Sequence, residues 1–181
     1  MNYRIIPIVK KEDIPEEYRD TPIGLFLEYH NLDRPFDIYS EAQLLIGMCM
    51  DNRKHLHIPE NFAYIIRSGG ANMRYSEFKI SYSIAVGQVS HIVLIAHNNC
   101  GMVNLVSRKE DFINGLITRA GWTREMAQEH FMNFAPLYEI DNEIGFIIGE
   151  KHRLSQKYPK IKIAAMYYRI EENQLYCIEE N

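Results

Sequence analysis

Gln43-Leu44-Leu45-Ile46-Gly47-Met48-Cys49-Met50-Asp51-Asn52-Arg53 begins as an apolar run of strand length and ends abruptly in a thiol, a carboxylate and a guanidinium. A second stretch follows the same plan, with Ile92-Val93-Leu94-Ile95-Ala96 leading into His97-Asn98-Asn99-Cys100-Gly101. Runs this continuous and this rich in Ile, Leu and Val belong to strands covered on both faces, the habit of a parallel sheet. Phe62 to Ile66 and Ile161 to Tyr168 read the same way. Helical spacing fills the intervals. Phe78, Tyr82, Ala85, Val86 and Val89 predict a crossover helix, and Ser107 with Glu110 three residues on is a capping-box pattern that predicts a helix to about Arg119. Thr123 is placed to cap a helix carrying Met126, His130, Phe131 and Phe134, and Asp141 or Asn142 to cap one carrying Ile144, Ile147, Ile148 and Leu154. Gln174 to Ile178, close behind Tyr168, predicts a hairpin. The expected fold class is α/β: a mostly parallel central sheet of about four parallel strands plus an antiparallel edge strand, flanked by helices, with an N-terminal helical arm.

The arm is residues 1–40, polar and punctuated by Pro7, Pro15, Pro22 and Pro35, with a helix expected from Ile23 to His30 whose Leu25, Phe26 and Tyr29 form an apolar face. Residues 41–181 make the α/β body of the same single domain, which suits a chain of 181 residues without repeats or Gly/Ser linkers. A formal charge of −4 offers no basic field for nucleic acid. The longest apolar run, Leu44 to Met50, has seven residues where a membrane span needs about 20, and no apolar signal segment follows the charged Met1 to Lys11 stretch. Three cysteines, Cys49, Cys100 and Cys177, are too few and too scattered for a disulfide framework. They suit free thiols or metal thiolates in a reducing compartment, so a cytoplasmic location is expected, with no membrane and no nucleic acid as partner.

Open α/β sheets bind their ligands beyond the carboxyl ends of the strands, where both polar clusters fall. If Cys49-Met50-Asp51-Asn52-Arg53 stays extended, Cys49, Asp51 and Arg53 project to one side. His97 and Cys100 form a tight H-x-x-C pair. Two thiolates and an imidazole suit Zn²⁺, which takes four tetrahedral ligands, so three protein ligands would leave one position open for chemistry. Each motif alone also fits a blander reading, since cysteines are often plain core residues and Asp51 with Arg53 could be an ordinary ion pair. A redox thiol pair, Cys49 with Cys100, is a further alternative. Cys177 reads as core, and Trp122 and the Met126 to Phe134 stripe likewise; His55 and His57 read first as plain surface-loop histidines, with proton relay as the alternative. Gly69-Gly70 lacks the spacing of a nucleotide loop.

Taken together, C-x-D-x-R and H-x-x-C-G at this separation resemble the β-class carbonic anhydrases, whose zinc-binding segments match Cys49, Asp51, Arg53, His97, Cys100 and Gly101. The similarity extends from Leu44 onward, through Phe62 to Gly70, Ser81 to Gly87 and the closing Ile161 to Ile178 hairpin. Asn52 stands where the family usually has Ser, Met102 where it commonly has glycine, and the arm has no assigned counterpart. The resemblance implies a zinc-binding carbonic anhydrase-like domain over 41–181 with one Zn²⁺ per chain, held by Cys49, His97 and Cys100. It implies zinc-dependent reversible hydration of carbon dioxide to bicarbonate by a zinc-bound hydroxide, with Asp51 and Arg53 as catalytic residues; the two-thiolate ligand set, which makes zinc a weaker Lewis acid than an all-histidine site would, adds the expectation of activity favoured at alkaline pH. In some relatives the aspartate instead rotates onto the metal. The resemblance further implies a homodimer or dimer of dimers, in which the apolar face of the arm meets the partner. Two alternatives keep the site: hydrolysis of carbonyl sulfide or carbon disulfide, and a non-catalytic zinc-binding protein.

Overall fold

The computed structural model describes residues 2–180; Met1 of the arm and Asn181 of the body lie outside them. Six strands form one sheet: β1 (Tyr3–Pro7), β2 (Leu44–Cys49), β3 (Ala63–Ser68), β4 (His91–His97), β5 (Lys162–Arg169) and β6 (Gln174–Glu180), in the spatial order β1-β6-β5-β4-β2-β3. β2, β3, β4 and β5 run parallel, β6 is antiparallel to β5, and β1 is antiparallel to β6. The mostly parallel α/β architecture is therefore the one expected. Its far edge is not: β6 is covered by β1, a strand hidden in the polar, proline-punctuated opening of the chain.

The strands alternate their side chains between two cores. Ile46 and Met48 of β2 and Val93 and Ile95 of β4 face one way, against α1 (Pro22–Asn31). Leu45, Ile92, Leu94 and Ala96 face the other, against Ile147, Ile148 and Leu154 of α5 (Glu143–Lys157). This double burial explains why both strands read as unbroken apolar runs. The β3 run contradicts that pattern. Tyr64 and Ile65 are exposed because β3 is an edge strand, and Phe78, Tyr82 and Val86 at α2 (Glu77–Ala85) and its end are exposed beside it.

Thr21 caps α1, its hydroxyl accepting from the Ile23 amide, and Pro22 takes the first turn where its missing N–H costs nothing. Ile23, Phe26, Leu27 and Tyr29 are then completely buried in the chain's own core. Phe26 and Tyr29 of the arm's apolar face thus have their cover within the subunit, while Leu25 of the same face stays partly exposed. Helices α3 (Lys109–Ala120) and α4 (Arg124–Tyr138) pack as a hairpin. Thr123 caps α4 and Asn142 caps α5, as their positions suggested. Ser107 does not start α3. It lies in a 3-10 turn (Leu105–Arg108), its hydroxyl donating back to the Asn104 carbonyl, and the helix begins at Lys109 without a side-chain cap.

Chain order places the site. From β2 the chain moves outward to β3 and then returns to the opposite flank of β2 to make β4, so the connections diverge between β2 and β4. That divergence opens a crevice at the carboxyl ends of the two strands. Met48 pairs with Ile95, so Cys49 and His97, the last residues of their strands, leave the sheet side by side.

Candidate metal centre

Cys49 and His97 are brought together by this register, and Cys100 joins them through a turn in which Asn99 takes a left-handed conformation, φ +54°. The two sulfurs lie 3.9 Å apart. Two thiolates at tetrahedral angles on one zinc would be separated by about 3.8 Å, from Zn–S bonds of about 2.3 Å. All three ligand atoms fall within 4.8 Å of one another and all three residues are buried.

The orientation of the His97 ring is set by its neighbour. Its Nδ1–H donates to the Asn98 carbonyl at 2.9 Å, which leaves the lone pair on Nε2. Nε2 is buried and has no hydrogen-bond partner among the described residues. A buried polar atom without a partner is costly, and an ion shared with two sulfurs removes that cost. The donor set fits a zinc-type metal.

The two sulfurs are close enough for one thiol to donate to the other. The Cys100 S–H donating to Cys49 holds the Cys49 thiol below its ordinary range, and the adjacent sulfur together with burial pushes Cys100 up. Loading a divalent ion supplies the charge that lets both ionise.

Asp51 and Arg53 do meet, though not as an extended i, i+2, i+4 set. The strand ends at Cys49 and the chain turns at Asn52 and Arg53. Asp51 Oδ1 accepts the Arg53 amide at 2.9 Å within this turn, an Asx-type bond that competes successfully with continued extension. The guanidinium then folds back onto the carboxylate, Nε to Oδ1 at 2.9 Å and NH2 to Oδ2 at 2.5 Å. This pairing holds the Asp51 carboxyl well below the usual carboxylate range. The same guanidinium donates to the Asn99 carbonyl at 2.9 Å, tying the first ligand segment to the second. Asp51 Oδ2 lies 4.0 Å from His97 Nε2, next to the ligand atoms while remaining bound to Arg53.

No family model matches the sequence, and no curated protein matches it. Solved structures do share its fold. A β-carbonic anhydrase from Trichomonas vaginalis is 16% identical and aligns with a TM-score of 0.63 over 83% of this chain and 91% of that one. A carbonic anhydrase from Glaciozyma antarctica is 18% identical, with a TM-score of 0.60 over 77% and 84% of the two chains. This chain has the β-carbonic anhydrase fold. A carbon disulfide hydrolase also shares it, at 19% identity and a TM-score of 0.53 over 76% of this chain and 79% of that one.

Several residues beside the centre of this β-carbonic anhydrase fold carry no local sequence signal of their role. Glu143, in the first turn of α5, accepts the Cys100 amide at 3.2 Å. Asn98 accepts the Ile170 amide at 2.9 Å and anchors the His97 end of β4 to the β5–β6 hairpin. Lys54 is buried beside Asp51, its ammonium 3.3 Å from the Asp51 carbonyl. Nothing local marks it, because a lysine after Arg53 in a polar turn reads as solvent-facing. His57, for which sequence offered proton relay as the alternative, ties its loop to the arm: its amide donates to His30 Nδ1 at 3.0 Å.

Two depressions flank the centre. One, of about 910 Å³, includes Asp51, Arg53, Asn99 and Arg108 and opens to solvent. The other, of about 520 Å³, is lined largely by apolar groups, among them Met50, Met102, Phe131, Phe134 and Tyr138. Gly69 lets the β3 turn sit against Met102, where a Cβ would come within 2.9 Å of the Met102 sulfur. The stripe on α4 is accordingly divided, Phe131 buried and Phe134 half exposed at this cavity.

Proposed function

We propose that this protein is a β-class carbonic anhydrase, a lyase that reversibly hydrates carbon dioxide to bicarbonate with one zinc ion per chain held by Cys49, His97 and Cys100. The observation that carries this reading is the partnerless, buried Nε2 of His97 facing two sulfurs, with an ionised Asp51 alongside. When bound, zinc acts as a Lewis acid that makes water a competent nucleophile near neutral pH. The protein's own residues then have distinct tasks. Asp51, kept anionic by Arg53, accepts a hydrogen bond from the attacking hydroxyl and turns its lone pair toward the substrate carbon. Arg53 keeps the carboxylate off the ligand atoms and locks the 49–53 segment to Asn99. Met50, Gly69 and Met102 present an apolar wall suited to a neutral linear substrate.

Two thiolates make the ion a weaker Lewis acid than three imidazoles would, so hydration should rise from pH 7 to 9. Stopped-flow measurement with a pH indicator on zinc-loaded protein tests this. Turnover increasing over that interval supports the enzyme; stoichiometric zinc without turnover across it would make the protein a non-catalytic metal binder.

A second reading has its own support. The apolar cavity of about 520 Å³ is far larger than CO₂ requires, and a carbon disulfide hydrolase shares the fold. Carbon disulfide or carbonyl sulfide as substrate is therefore our alternative, and sulfide release under the same conditions separates the two. We further propose a homodimer in the cytoplasm. Exposed Tyr64 and Ile65 on the β3 edge, next to Phe78, Tyr82 and Val86, are the apolar surface that dimerisation would cover, and three free buried cysteines suit a reducing compartment. Light scattering checks the first point: a dimer should give twice the 21.3 kDa chain mass.

A further inference from the structure

Lys54 is the most heavily buried cation near the centre, only 1% exposed. Among the described residues its single hydrogen bond is to a backbone carbonyl, Asp51 O at 3.3 Å, rather than to a carboxylate. A buried ammonium without an ion pair costs stability, and a methionine or leucine would fill the same space without that cost. The groups whose charge reaches it are those of the centre. Burial lowers its pKa, while Cys49, Asp51 and Cys100 raise it. Arg53 and Arg67 stand on the same side of the charge balance, Arg67 donating to the Asp51 carbonyl at 3.3 Å and to the Lys54 carbonyl at 3.4 Å. With both thiols ionised, Cys49, Cys100, Asp51 and Glu143, whose carboxylate accepts the Cys100 amide, face Lys54, Arg53 and Arg67, so the protein groups alone carry one net negative charge. A divalent ion added to that set leaves the centre net positive. Arg53 and Arg67 are open to solvent, where their fields are screened; Lys54 is buried, lines neither depression, and acts in a low-dielectric surround.

We infer that Lys54 is a specificity-determining residue whose buried positive charge makes the centre prefer anionic ligands, bicarbonate among them, over neutral ones. This rests on the metal-centre reading above. It separates the two partners of the proposed reaction, since the field acts on the anion and leaves neutral carbon dioxide untouched.

The test uses the full chain loaded with one equivalent of cobalt(II), whose visible spectrum reports ligands at the open position. Azide serves as the anionic probe and imidazole as the neutral one. In Lys54→Met, azide affinity should fall roughly tenfold, the scale of a unit charge about 10 Å away at an effective dielectric constant of about 20. Imidazole affinity and cobalt stoichiometry should stay unchanged, and the melting temperature should hold or rise. Lys54→Arg should retain azide binding, and Lys54→Gln gives a second neutral variant should Met fail to fold. Unchanged azide affinity in a folded neutral variant, or an equal loss of azide and imidazole binding, overturns the inference while leaving the metal centre standing. Failure of the wild-type protein to take up cobalt overturns both.

Discussion

His97 and His30 are two almost fully buried rings that each leave Nε2 without a hydrogen-bond partner of good geometry, yet their surroundings differ in kind. His97 closes β4 at the crevice, with two sulfurs and a carboxylate around the free nitrogen. His30 lies in the last turn of α1, in an aromatic seam between Phe26 and Tyr168, with its Nδ1 taken by the His57 amide. Burial and the nearby His57 push the His30 pKa down to about 4, which the Asn173 backbone opposes only in part. A lone buried imidazole thus answers its desolvation by staying neutral. One surrounded by soft donors has the alternative of an ion, so convergence of ligands, rather than burial, distinguishes a metal site from a core histidine.

The contrast can be broken most forcefully at the ligands. His97→Ala should lower zinc affinity by at least about a hundredfold, since even groups one step removed from a metal are worth 10–100-fold. His30→Leu should leave metal content at one per chain. Equal retention of zinc by both variants, measured by elemental analysis after dialysis, would erase the distinction between the two rings.

Next in size is Asp51→Asn. The amide keeps the shape of the turn but presents a weaker acceptor and a competing donor, so zinc should stay while hydration falls about 10²–10⁴-fold. Full activity in this variant would leave Asp51 as a tether only.

The seam gives the smallest effect, visible in stability rather than activity. The folded pKa of His30, about 4, lies below the unfolded value near 6.5, so the unfolded chain binds the extra proton first. Its contribution is complete above pH 6.5 and is lost as pH falls toward 4, on the order of 3 kcal/mol in all. Urea titrations across that interval should show the slope, and His30→Leu should flatten it. An unchanged slope in the variant would assign the acid sensitivity to other groups.

Much of the centre could be read in advance because its signals are local. Two apolar runs ending in C-x-D-x-R and H-x-x-C-G name the strands, their shared edge and the three side chains that converge there, and Thr123 and Asn142 announce their helices by side-chain chemistry acting within three residues. What escaped depends on distant partners. β1 has no apolar pattern because only one edge of it pairs, with β6 at the far end of the chain. The apolar face of α1 is evident in sequence, but what covers it is decided by tertiary packing, and for Phe26 and Tyr29 the sheet of its own subunit does so. Phe78 and Tyr82 show the converse, helical spacing on a face left exposed. The compact turn at Asp51 replaced the extended geometry because Asp51 could bond the Arg53 amide, and Lys54 was drawn inward with it.

Anomalous scattering at the zinc edge, on crystals of protein purified without chelators, is the most direct test of the metal centre. One zinc per chain should appear, bound by Cys49 Sγ, His97 Nε2 and Cys100 Sγ with a fourth corner free of protein ligands. An ion bound elsewhere, or a zinc-free crevice with a Cys49–Cys100 disulfide in its place, would contradict it.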